Sequence, residues 1–244
     1  MKTALTIAGT DPSGGAGIQA DIKTMTANGV FATCAVTALV AQNTTGVKSI
    51  VECTPDFLAE ELDCVFTDIF PDAVQTGMVS SIPLIRVIAA KLKEYGAKNL
   101  VVDPVMGDYG RVYQTYTAAM CSGMARLAEL ADVITPNLTE AALLLGQPYE
   151  TLPAGEAGLR EITERLSLGG RRSVVLTGAS LAPGRTGAVC FDARTGKTEA
   201  VQTAYVAHEF HGTGDVFSSV LTGALVRGES LSSAAGEAAA FVRA

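Results

Sequence analysis

A regular alternation of short apolar runs with segments of helical periodicity is the feature that most constrains the fold. The apolar run Ala4–Gly9 is followed by a turn cluster and then by apolar residues spaced three to four apart in Ile18–Asn28. A short apolar run that ends in glycine is typical of a buried strand, and a 3.6-residue period is typical of a helix with one buried face. The same alternation predicts further strands at Phe31–Val40, Ala73–Met78, Leu100–Val105, Val133–Pro136 and Val174–Leu176, and helices that begin at Thr54 and span Ile82–Tyr95, Thr117–Leu130, Thr139–Leu145, Leu159–Leu168, Asp215–Val226 and Leu231–Val242.

Repeated strand–helix units predict an α/β fold whose mainly parallel sheet is covered by helices on both faces. Near the C-terminus the pattern changes, and Gly187–Phe191 with Thr198–Val206 predicts a hairpin that turns at Ala193–Gly196. No internal repeat or linker interrupts the 244 residues, so the sequence predicts one domain. Ligands of such sheets bind at the carboxyl ends of the strands, and the candidate site motifs of this chain follow predicted strands.

Composition argues against several classes of protein. Apolar residues make up 48% of the chain and charged residues 18%, which excludes intrinsic disorder. The net charge is −7 with no basic block, which argues against binding of nucleic acid or an anionic membrane. The longest nearly apolar run, Phe31–Ala41, is too short to span a bilayer, and the N-terminus is a poor match to a signal peptide. The five cysteines are widely spaced without a Cys-x-x-Cys pair, so we expect free thiols in a reducing cytoplasm.

The first glycine-rich segment, Gly14–Ala20, follows the first predicted strand and begins a helix. It contains a formal match to the Gly-x-Gly-x-x-Ala fingerprint of dinucleotide-binding proteins. That fingerprint requires an acidic residue at the end of the second strand to hold a ribose, and this chain has Gln42 and Asn43 there. The segment therefore argues against a nicotinamide-dependent oxidoreductase. Two interpretations of the segment remain: a tight turn that binds no ligand, and a turn that lies beside a ligand other than a dinucleotide.

A second segment, Thr195–Thr198, resembles the end of a Walker A loop. The full motif requires glycine five residues before Gly196, where this chain has Phe191. The segment also leads into a predicted strand, whereas a Walker A loop leads into a helix. We therefore interpret it as the turn of the predicted hairpin.

The segment Gly212-Thr213-Gly214-Asp215 is the most informative motif, because it ends an extended region and begins a helix. Two glycines let backbone amides converge, and the helix N-terminus carries partial positive charge, so the turn can bind an anion. The Asp215 carboxylate in the same turn can act as a general base. The segment predicts a site where a γ-phosphate meets the hydroxyl that attacks it. The alternative is structural, with Asp215 complementing the helix dipole and the glycines forming the bend.

Two polar motifs follow other predicted strands. Asn137 and Glu140 lie three residues apart across a helix start, so their side chains can face one ligand or its hydrated metal ion. Helix capping by Asn137 or Thr139 is the alternative. Asp103 and Asp108 lie at the end of a strand, where they either help to hold Mg²⁺ on phosphates or accept hydrogen bonds from loop amides.

These segments together resemble the ribokinase-like superfamily, and within it the vitamin kinases for hydroxymethylpyrimidine and for pyridoxal. Leu5–Asp21, Thr37–Thr44 and Thr76–Met78 are similar to hydroxymethylpyrimidine/phosphomethylpyrimidine kinases over roughly the first hundred residues. Gly107–Tyr113 and the aspartate at the end of Gly212–Asp215 are more similar to pyridoxal kinases, since pyrimidine kinases often carry Gly-Thr-Gly-Cys near the end. The chain thus resembles a mosaic with a junction near residues 103–107, and we expect a short C-terminus because the chain stops within a predicted helix.

The resemblance implies a three-layer ribokinase-like fold and a role for each motif. The N-terminal half is expected to bind a flat heteroaromatic ring, with Gln42 at the ring edge and, around it, Gly9, Ala16, Asp21, Val40 and Met78. The C-terminal half is expected to hold ATP and Mg²⁺ through Asp103, Asp108, Asn137, Glu140, Thr177 and Gly178. Of these, Asp103 and Glu140 would hold Mg²⁺ indirectly, and assistance by K⁺ is open. The anion hole is expected at Gly212, Thr213 and Gly214, with Asp215 taking the proton from the substrate's hydroxymethyl group.

The function that the resemblance implies is ATP-dependent phosphorylation of 4-amino-5-hydroxymethyl-2-methylpyrimidine in thiamine biosynthesis, with its monophosphate as a further candidate substrate. Phosphorylation of pyridoxal, pyridoxine or pyridoxamine is the alternative that Asp215 and Gly107–Tyr113 favour. A catalytically silent vitamin-binding protein is the second alternative. We expect a cytoplasmic homodimer without nucleic-acid or membrane partners. We do not expect a metal site at His208 and His211, because nothing else completes a ligand set.

Overall fold

The computed structural model describes residues 1–114, 116–207 and 210–244. These residues form eleven strands: β1 (Thr3–Gly9), β2 (Phe31–Asn43), β3 (Gly46–Glu52), β4 (Ala73–Thr76), β5 (Leu100–Val102), β6 (Gly107–Asp108), β7 (Arg111–Val112), β8 (Val133–Ile134), β9 (Ser173–Thr177), β10 (Arg185–Asp192) and β11 (Lys197–Ala204). The α-helices of the same residues are α1 (Gly17–Ala27), α2 (Pro55–Asp68), α3 (Ile82–Glu94), α4 (Ala118–Ala128), α5 (Leu138–Leu145), α6 (Gly155–Leu166), α7 (Thr213–Arg227) and α8 (Leu231–Arg243). None of these described helices combines the length and apolar character that crossing a bilayer requires.

Nine of the strands form one sheet in the order β11-β10-β9-β8-β5-β4-β1-β2-β3. The six strands from β9 to β2 are parallel to one another. The strands at the two ends of the sheet, β3 on one side and β10 with β11 on the other, pair antiparallel. The predicted α/β fold with a mainly parallel sheet is therefore confirmed. The strands β6 and β7 form a separate two-stranded hairpin.

Helices cover both faces of the sheet, because successive residues of a strand point to opposite faces. In β5, Leu100 and Val102 belong to the larger apolar core, which the sheet forms with the helices α2 to α6. Val101 between them packs on the other face, in a core formed with α7 and α8. The helix α1 contacts α7 on this second face. Strands that are buried on both sides read as continuous apolar runs, which explains why the sequence pattern identifies them.

Local signals set several of the helix ends. Thr54 caps α2 by accepting a hydrogen bond of 3.3 Å from the amide of Phe57, and Pro55 occupies the first helical position. Thr117 caps α4 in the same way. Gly146 ends α5 in the left-handed conformation that glycine adopts without steric cost. These helix starts and stops agree with the boundaries predicted from the sequence.

The structure differs most from the predicted elements in three places, apart from the strands β4 and β8, which end two residues earlier than predicted. The strand β2 continues to Asn43 and turns back as β3, which the sequence analysis does not predict, because β3 is exposed along nearly all of its length and lacks an apolar run. The strand predicted at Leu100–Val105 ends at Val102, since Pro104 has no amide hydrogen for the ladder. The hairpin of β6 and β7 is too short to leave a pattern. The hairpin predicted around Ala193–Gly196 is confirmed and joins β10 to β11.

Candidate active site

The carboxyl ends of the parallel strands carry most of the predicted site residues. The loops that leave this edge contain residues 10–16 after β1, Gly77 and Met78 after β4, Asp103 after β5, Asn137 after β8 and Gly178 after β9. Because β11 is antiparallel to β10 and β10 to β9, β11 returns to this same edge, and α7 follows it. The topology thus places the start of α7 among loops from five strands, at the edge where ligands of such sheets bind.

Asp215 lies in the first turn of α7 and faces the start of α1. Its Oδ2 accepts a hydrogen bond of 3.1 Å from the amide of Gly17, and the residue stays partly exposed. Desolvation raises the pKa of Asp215, the Gly17 amide lowers it and the negative charge of Asp11 raises it, with a net increase. A carboxylate with a raised pKa that remains accessible is suited to accept a proton from an alcohol.

The turn before α7 is held open by glycine. Gly212 adopts a left-handed conformation with φ of 84° and has no side chain that could cap the helix. A Cβ at this position would lie 1.9 Å from the carbonyl oxygen of Gly15, so the close approach of the two loops requires glycine. Gly214 packs beside Asp103, since a Cβ there would lie 3.7 Å from Oδ2 of that carboxylate. Together with exposed Thr213 the turn presents helix-terminal amides, an arrangement that can bind an anion.

The glycine-rich loop before α1 has its amides occupied by a side chain of the loop itself. Asp11 accepts hydrogen bonds from the amides of Ser13 (2.9 Å), Gly15 (3.0 Å) and Ala16 (2.8 Å). Desolvation raises the pKa of Asp11, but hydrogen bonds from Gln42, Ser13 and the loop amides lower it to about 2. The backbone amides that would bind the pyrophosphate of a dinucleotide are therefore already bonded to the Asp11 carboxylate. The sequence analysis does not single out Asp11, although an aspartate two residues before a serine in a glycine-rich turn is a recognisable Asx-turn signal.

The residues predicted to surround the ring lie where β1, β2 and β4 end. They are Gly9 on β1, Ala16 before α1, Val40 and Gln42 on β2, and Met78 after β4. A Cβ at Gly9 would lie 3.1 Å from the sulfur of Met78, so these two residues are in contact. A Cβ at Gly77 would lie 3.8 Å from Oδ1 of Asp215. The predicted ring pocket and the predicted base therefore adjoin.

Asp21 lies beneath this pocket and is fully buried. Its Oδ2 accepts a hydrogen bond of 2.5 Å from the Thr6 hydroxyl, and its Oδ1 accepts bonds from the Ser219 hydroxyl (2.8 Å) and the Gln75 amide (3.1 Å). Desolvation and the charge of Asp215 raise the pKa of Asp21 to about 8. Since its described partners are protein groups, Asp21 supports the site from below instead of facing a ligand directly.

Two buried carboxylates lie on the other side of Asp215. Asp103 accepts a hydrogen bond of 2.9 Å from the Ser218 hydroxyl, and desolvation together with the charges of Glu140 and Asp215 raises its pKa well above the usual value. Glu140 accepts hydrogen bonds from the amides of Met106 (2.9 Å) and Asn137 (3.0 Å). Desolvation raises the pKa of Glu140 to about 7 in spite of these bonds.

The side chains of Asn137 and Glu140 form a capping box at the start of α5, because the Asn137 side chain in turn accepts from the Glu140 amide at 3.0 Å. The predicted capping by Asn137 is therefore confirmed, and contacts of Asn137 and Glu140 with ATP stay a prediction. The Asn137 amide group also donates to the Gly107 carbonyl at 2.8 Å, which ties α5 to the β6–β7 hairpin.

Val105 connects these two carboxylates and is a residue that sequence reasoning misses. It adopts a left-handed conformation with φ of 45°, which is strained for a β-branched residue. Its amide bonds to the Asp103 carboxylate, and the amide of the next residue, Met106, bonds to Glu140. The strained backbone thus holds both carboxylates at once. No sequence pattern marks it, because the conformation depends on both partners.

The remaining predicted residues lie at the rim of the site. Asp108 is exposed and accepts a hydrogen bond of 2.8 Å from the amide of Tyr109. Thr177 donates from its amide to the Pro136 carbonyl at 2.9 Å, and Gly178 is exposed with φ of 68°. His208 lies outside the described residues. In the described part of the chain, no group of three or more His, Cys, Asp or Glu side chains is arranged to hold a metal ion.

A surface depression of about 530 Å³ lies at the opposite edge of the sheet, where the parallel strands begin. Lys98, Asp132 and Arg194 are among its lining residues, and none of the predicted site residues lines it. Cavity size therefore does not locate the site. The site is located instead by the buried carboxylates that meet helix starts at the carboxyl edge of the sheet. Carboxylates with perturbed pKa values are typical of functional sites.

Comparison with known proteins agrees with this geometry. A family model described as phosphomethylpyrimidine kinase matches residues 11–244. The chain is 40% identical over 240 residues to the thiamine biosynthesis bifunctional protein ThiED of Geobacter sulfurreducens; the match covers 98% of this chain and 48% of that protein, so the chain spans about half the length of this relative. It is 38% identical over 218 residues to the hydroxymethylpyrimidine/phosphomethylpyrimidine kinase of Escherichia coli, covering 89% of this chain and 80% of that one.

Among solved structures, the chain is similar to an ADP complex of Bacillus subtilis pyridoxal kinase, with a TM-score of 0.86 and 32% identity over 100% of this chain and 91% of that chain. The predicted ribokinase-like fold and the predicted relationship to vitamin kinases are confirmed by these similarities. The family match also crosses residues 103–107, where the two resemblances meet. The chain belongs to the phosphomethylpyrimidine kinase family.

Proposed function

We propose that this chain is an ATP-dependent kinase that phosphorylates the hydroxymethyl group of 4-amino-5-hydroxymethyl-2-methylpyrimidine in thiamine biosynthesis. The observation that carries the proposal is the position of Asp215. Its carboxylate lies in the first turn of α7, bonded to the amide of Gly17, with the predicted ring pocket on one side and the buried Asp103 on the other. A primary alcohol is a poor nucleophile, so a base at this position is what the transfer requires.

The reaction then follows from the residues at the start of α7. The substrate hydroxyl gives its proton to Asp215, its oxygen attacks the γ-phosphorus of ATP, and the bond to the leaving ADP oxygen breaks. The amides of Gly212–Gly214 stabilise the negative charge on the γ-phosphoryl oxygens. The raised pKa of Asp215 favours the proton transfer, and the partly exposed carboxyl group can return its proton to solvent.

Mg²⁺ fits the acidic side of the site. Asp103 and Glu140 are buried carboxyl groups whose raised pKa values disfavour the ionised form, and a bound cation would restore it; their oxygens are hard donors of the kind that suits Mg²⁺. Both oxygens of Glu140 already accept backbone amides, so it would act through water, as Mg²⁺ sites commonly allow. When bound, the ion neutralises charge on the phosphates. We assign further ATP contacts to Asp108, Asn137, Thr177 and Gly178, because they lie along the same edge; K⁺ dependence stays a prediction.

Gln42 supplies the recognition of the ring edge in this proposal. Its side chain offers both a donor and an acceptor, which matches an aminopyrimidine. Its side chain also hydrogen-bonds to the Asp11 carboxylate in the loop before α1, so a protein contact already restrains it.

Pyridoxal is the second candidate acceptor. The aspartate at position 215 and the β6–β7 hairpin favour it, and the similar Bacillus subtilis structure is a pyridoxal kinase. A catalytically silent vitamin-binding protein is the remaining alternative, and it requires that Asp215 has no base function.

The deciding experiment measures ADP production by the purified chain with the pyrimidine alcohol, its monophosphate and pyridoxal as acceptors. We expect kcat/KM for the pyrimidine alcohol to be the highest of the three, and the reaction without acceptor provides the blank. A tenfold preference for pyridoxal would contradict the assigned substrate. Ligand binding without ADP production would contradict the kinase assignment itself.

We also propose that two copies of the chain associate through the β2–β3 edge. Leu39 and Val51 are cross-strand neighbours there, and they are 59% and 65% exposed. Phe57, at the adjacent start of α2, is 55% exposed. Exposed apolar side chains on an edge strand are typical of an interface. Analytical sedimentation should show that the wild type is a dimer and that V51K is a monomer. A wild type that stays monomeric at high concentration would contradict the proposal. The cytoplasmic location stays a prediction.

A further inference from the structure

The Asp11 carboxylate is buried, yet it takes no part in the chemistry proposed above. The residue is 2% exposed. Besides the three loop amides, it accepts a hydrogen bond of 2.7 Å from the Ser13 hydroxyl. A buried charge is costly unless hydrogen bonds compensate for it, so the conformation of residues 11–16 and the charge of Asp11 depend on one another. The loop is folded around this carboxylate.

The same loop is joined to the reacting groups at three points. The next amide along the chain, that of Gly17, bonds to Asp215. The carbonyl of Gly15 packs against Gly212 so closely that a Cβ at that glycine would lie 1.9 Å from the oxygen. Gln42, at the predicted ring edge, bonds to Asp11 itself. A change in the loop conformation therefore reaches the base, the anion turn and the ring contact together.

The loop before α1 and the turn before α7 are both glycine-rich helix starts, and their backbones are in contact. A triphosphate that approaches this edge would meet two sets of helix-terminal amides if both were free. In the structure Asp11 occupies the set before α1, while Gly212 has no side chain to occupy the set before α7.

We propose that Asp11 is a positioning residue that acts as an internal anion. By filling the amides of residues 13–16 it leaves the α7 turn as the place for the γ-phosphate, and it holds the Gly17 amide against Asp215 and Gln42 at the ring edge. This inference rests on the proposed function. It assigns a role in positioning and in specificity, not in bond making, to a residue outside the predicted site.

The test replaces the internal anion with an external one. D11A removes the carboxylate, and formate, a carboxylate small enough for the vacated amides, is then added to the variant and to the wild type. We expect kcat of D11A to fall about 10- to 100-fold, the scale of a misplaced catalytic group, and formate to restore part of it. D72A is the matched control, because Asp72 also accepts a backbone amide (2.9 Å, from Thr3) but lies at the opposite edge of the sheet.

A second readout does not depend on activity. Inorganic phosphate should raise the Tm of D11A more than that of the wild type or D72A, since only D11A exposes the loop amides. D11G, which also removes the carboxylate, serves in the same assays if D11A does not fold. Unchanged kcat in the variant, or lost kcat without either rescue by formate or added stabilisation by phosphate, would overturn the inference. The wild-type rate alone decides the proposed function, and the ratio of variant to wild type decides the role of Asp11.

Discussion

The two glycine-rich turns at the carboxyl edge of the sheet resemble each other in sequence and differ in what their amides contact. Each begins a helix, α1 at Gly17 and α7 at Thr213. Before α1, the carboxylate of Asp11 accepts the loop amides. Before α7, the N-cap is Gly212, which has no side chain to do so. A glycine-rich turn thus provides backbone amides that can bind an anion. Whether those amides stay free for a ligand depends on the side chains that reach them.

The comparison also shows how the two turns cooperate. The amide of Gly17 belongs to the first turn, but its acceptor, Asp215, belongs to the second. The two residues are 198 positions apart in the chain. The proposed base is therefore oriented by the turn whose amides are filled by Asp11. In the proposed reaction, the start of α1 thus contributes by positioning the start of α7, although its own amides already bond to protein groups.

The largest expected effect comes from D215N, which removes the base and keeps the shape of the side chain. We expect kcat to fall by about 10²- to 10⁴-fold, the usual contribution of general-base catalysis, with little change in the binding of pyrimidine or ATP analogue. Steady-state kinetics and calorimetry measure the two quantities. D68N, at an exposed position at the end of α2, is the control. Equal activity of D215N would remove Asp215 from the role of general base.

G212A tests the contact between the two turns. The new Cβ would lie 1.9 Å from the Gly15 carbonyl oxygen, so one of the turns has to shift. We expect kcat/KM to fall roughly tenfold or more, because small displacements of catalytic groups are costly. G196A is the matched control: its φ of 68° imposes similar backbone strain of about 1–2 kcal/mol, but no atom of the described chain lies within 4 Å of the added Cβ. Equal effects of the two variants would mean that strain alone, not the contact, matters.

Asp11 and Asp21, on either side of the start of α1, should make stability depend on pH in opposite ways. Asp21 has its pKa raised to about 8, so its contribution to stability is present below the unfolded pKa and is lost as the pH rises toward 8. Asp11 has its pKa lowered to about 2, so its contribution is present above the unfolded pKa and is lost as the pH falls toward 2. Thermal denaturation across this range measures both slopes. D21N should make the decline between pH 5 and pH 8 shallower and leave the acid limb unchanged, while the raised pKa values of Glu140, Asp103 and Asp215 preserve part of the decline. A slope between pH 5 and pH 8 equal to that of the wild type would refute this assignment.

The smallest expected effect is that of K197A, in the third glycine-containing turn. This segment joins β10 to β11 as a hairpin, whereas a Walker A loop leads into a helix, so we expect no phosphate site there. We expect KM for ATP to stay within about twofold of the wild type, as for most surface substitutions. A large increase in KM would show that nucleotide reaches the hairpin, which would break the contrast between the turns.

Much of the site could be predicted because its signals are local. The Gly212–Asp215 segment predicts a helix start with a carboxylate in the first turn, and in the structure α7 begins at Thr213 with Asp215 in its first turn. Asn137 and Glu140 were ambiguous between capping and ligand contact, and the capping box is what the structure shows. For Asp11 the sequence offers only the local Asx-turn signal, and its further contacts with the amides of Gly15 and Ala16 depend on the folded loop.

By itself the sequence determined most of the order of strands and helices, several helix caps and the family, because periodicity, turn chemistry and motif spacing act over a few residues. Only the tertiary structure decided which amides are filled, which carboxylates are buried and which are reachable. Burial and the nearby negative charge of Asp215 raise the pKa of Asp21, and Asp215 is oriented because α1 begins beside it. Burial and hydrogen bonding depend on residues that are distant in the chain, so their consequences for charge appear only when the sheet brings those residues together.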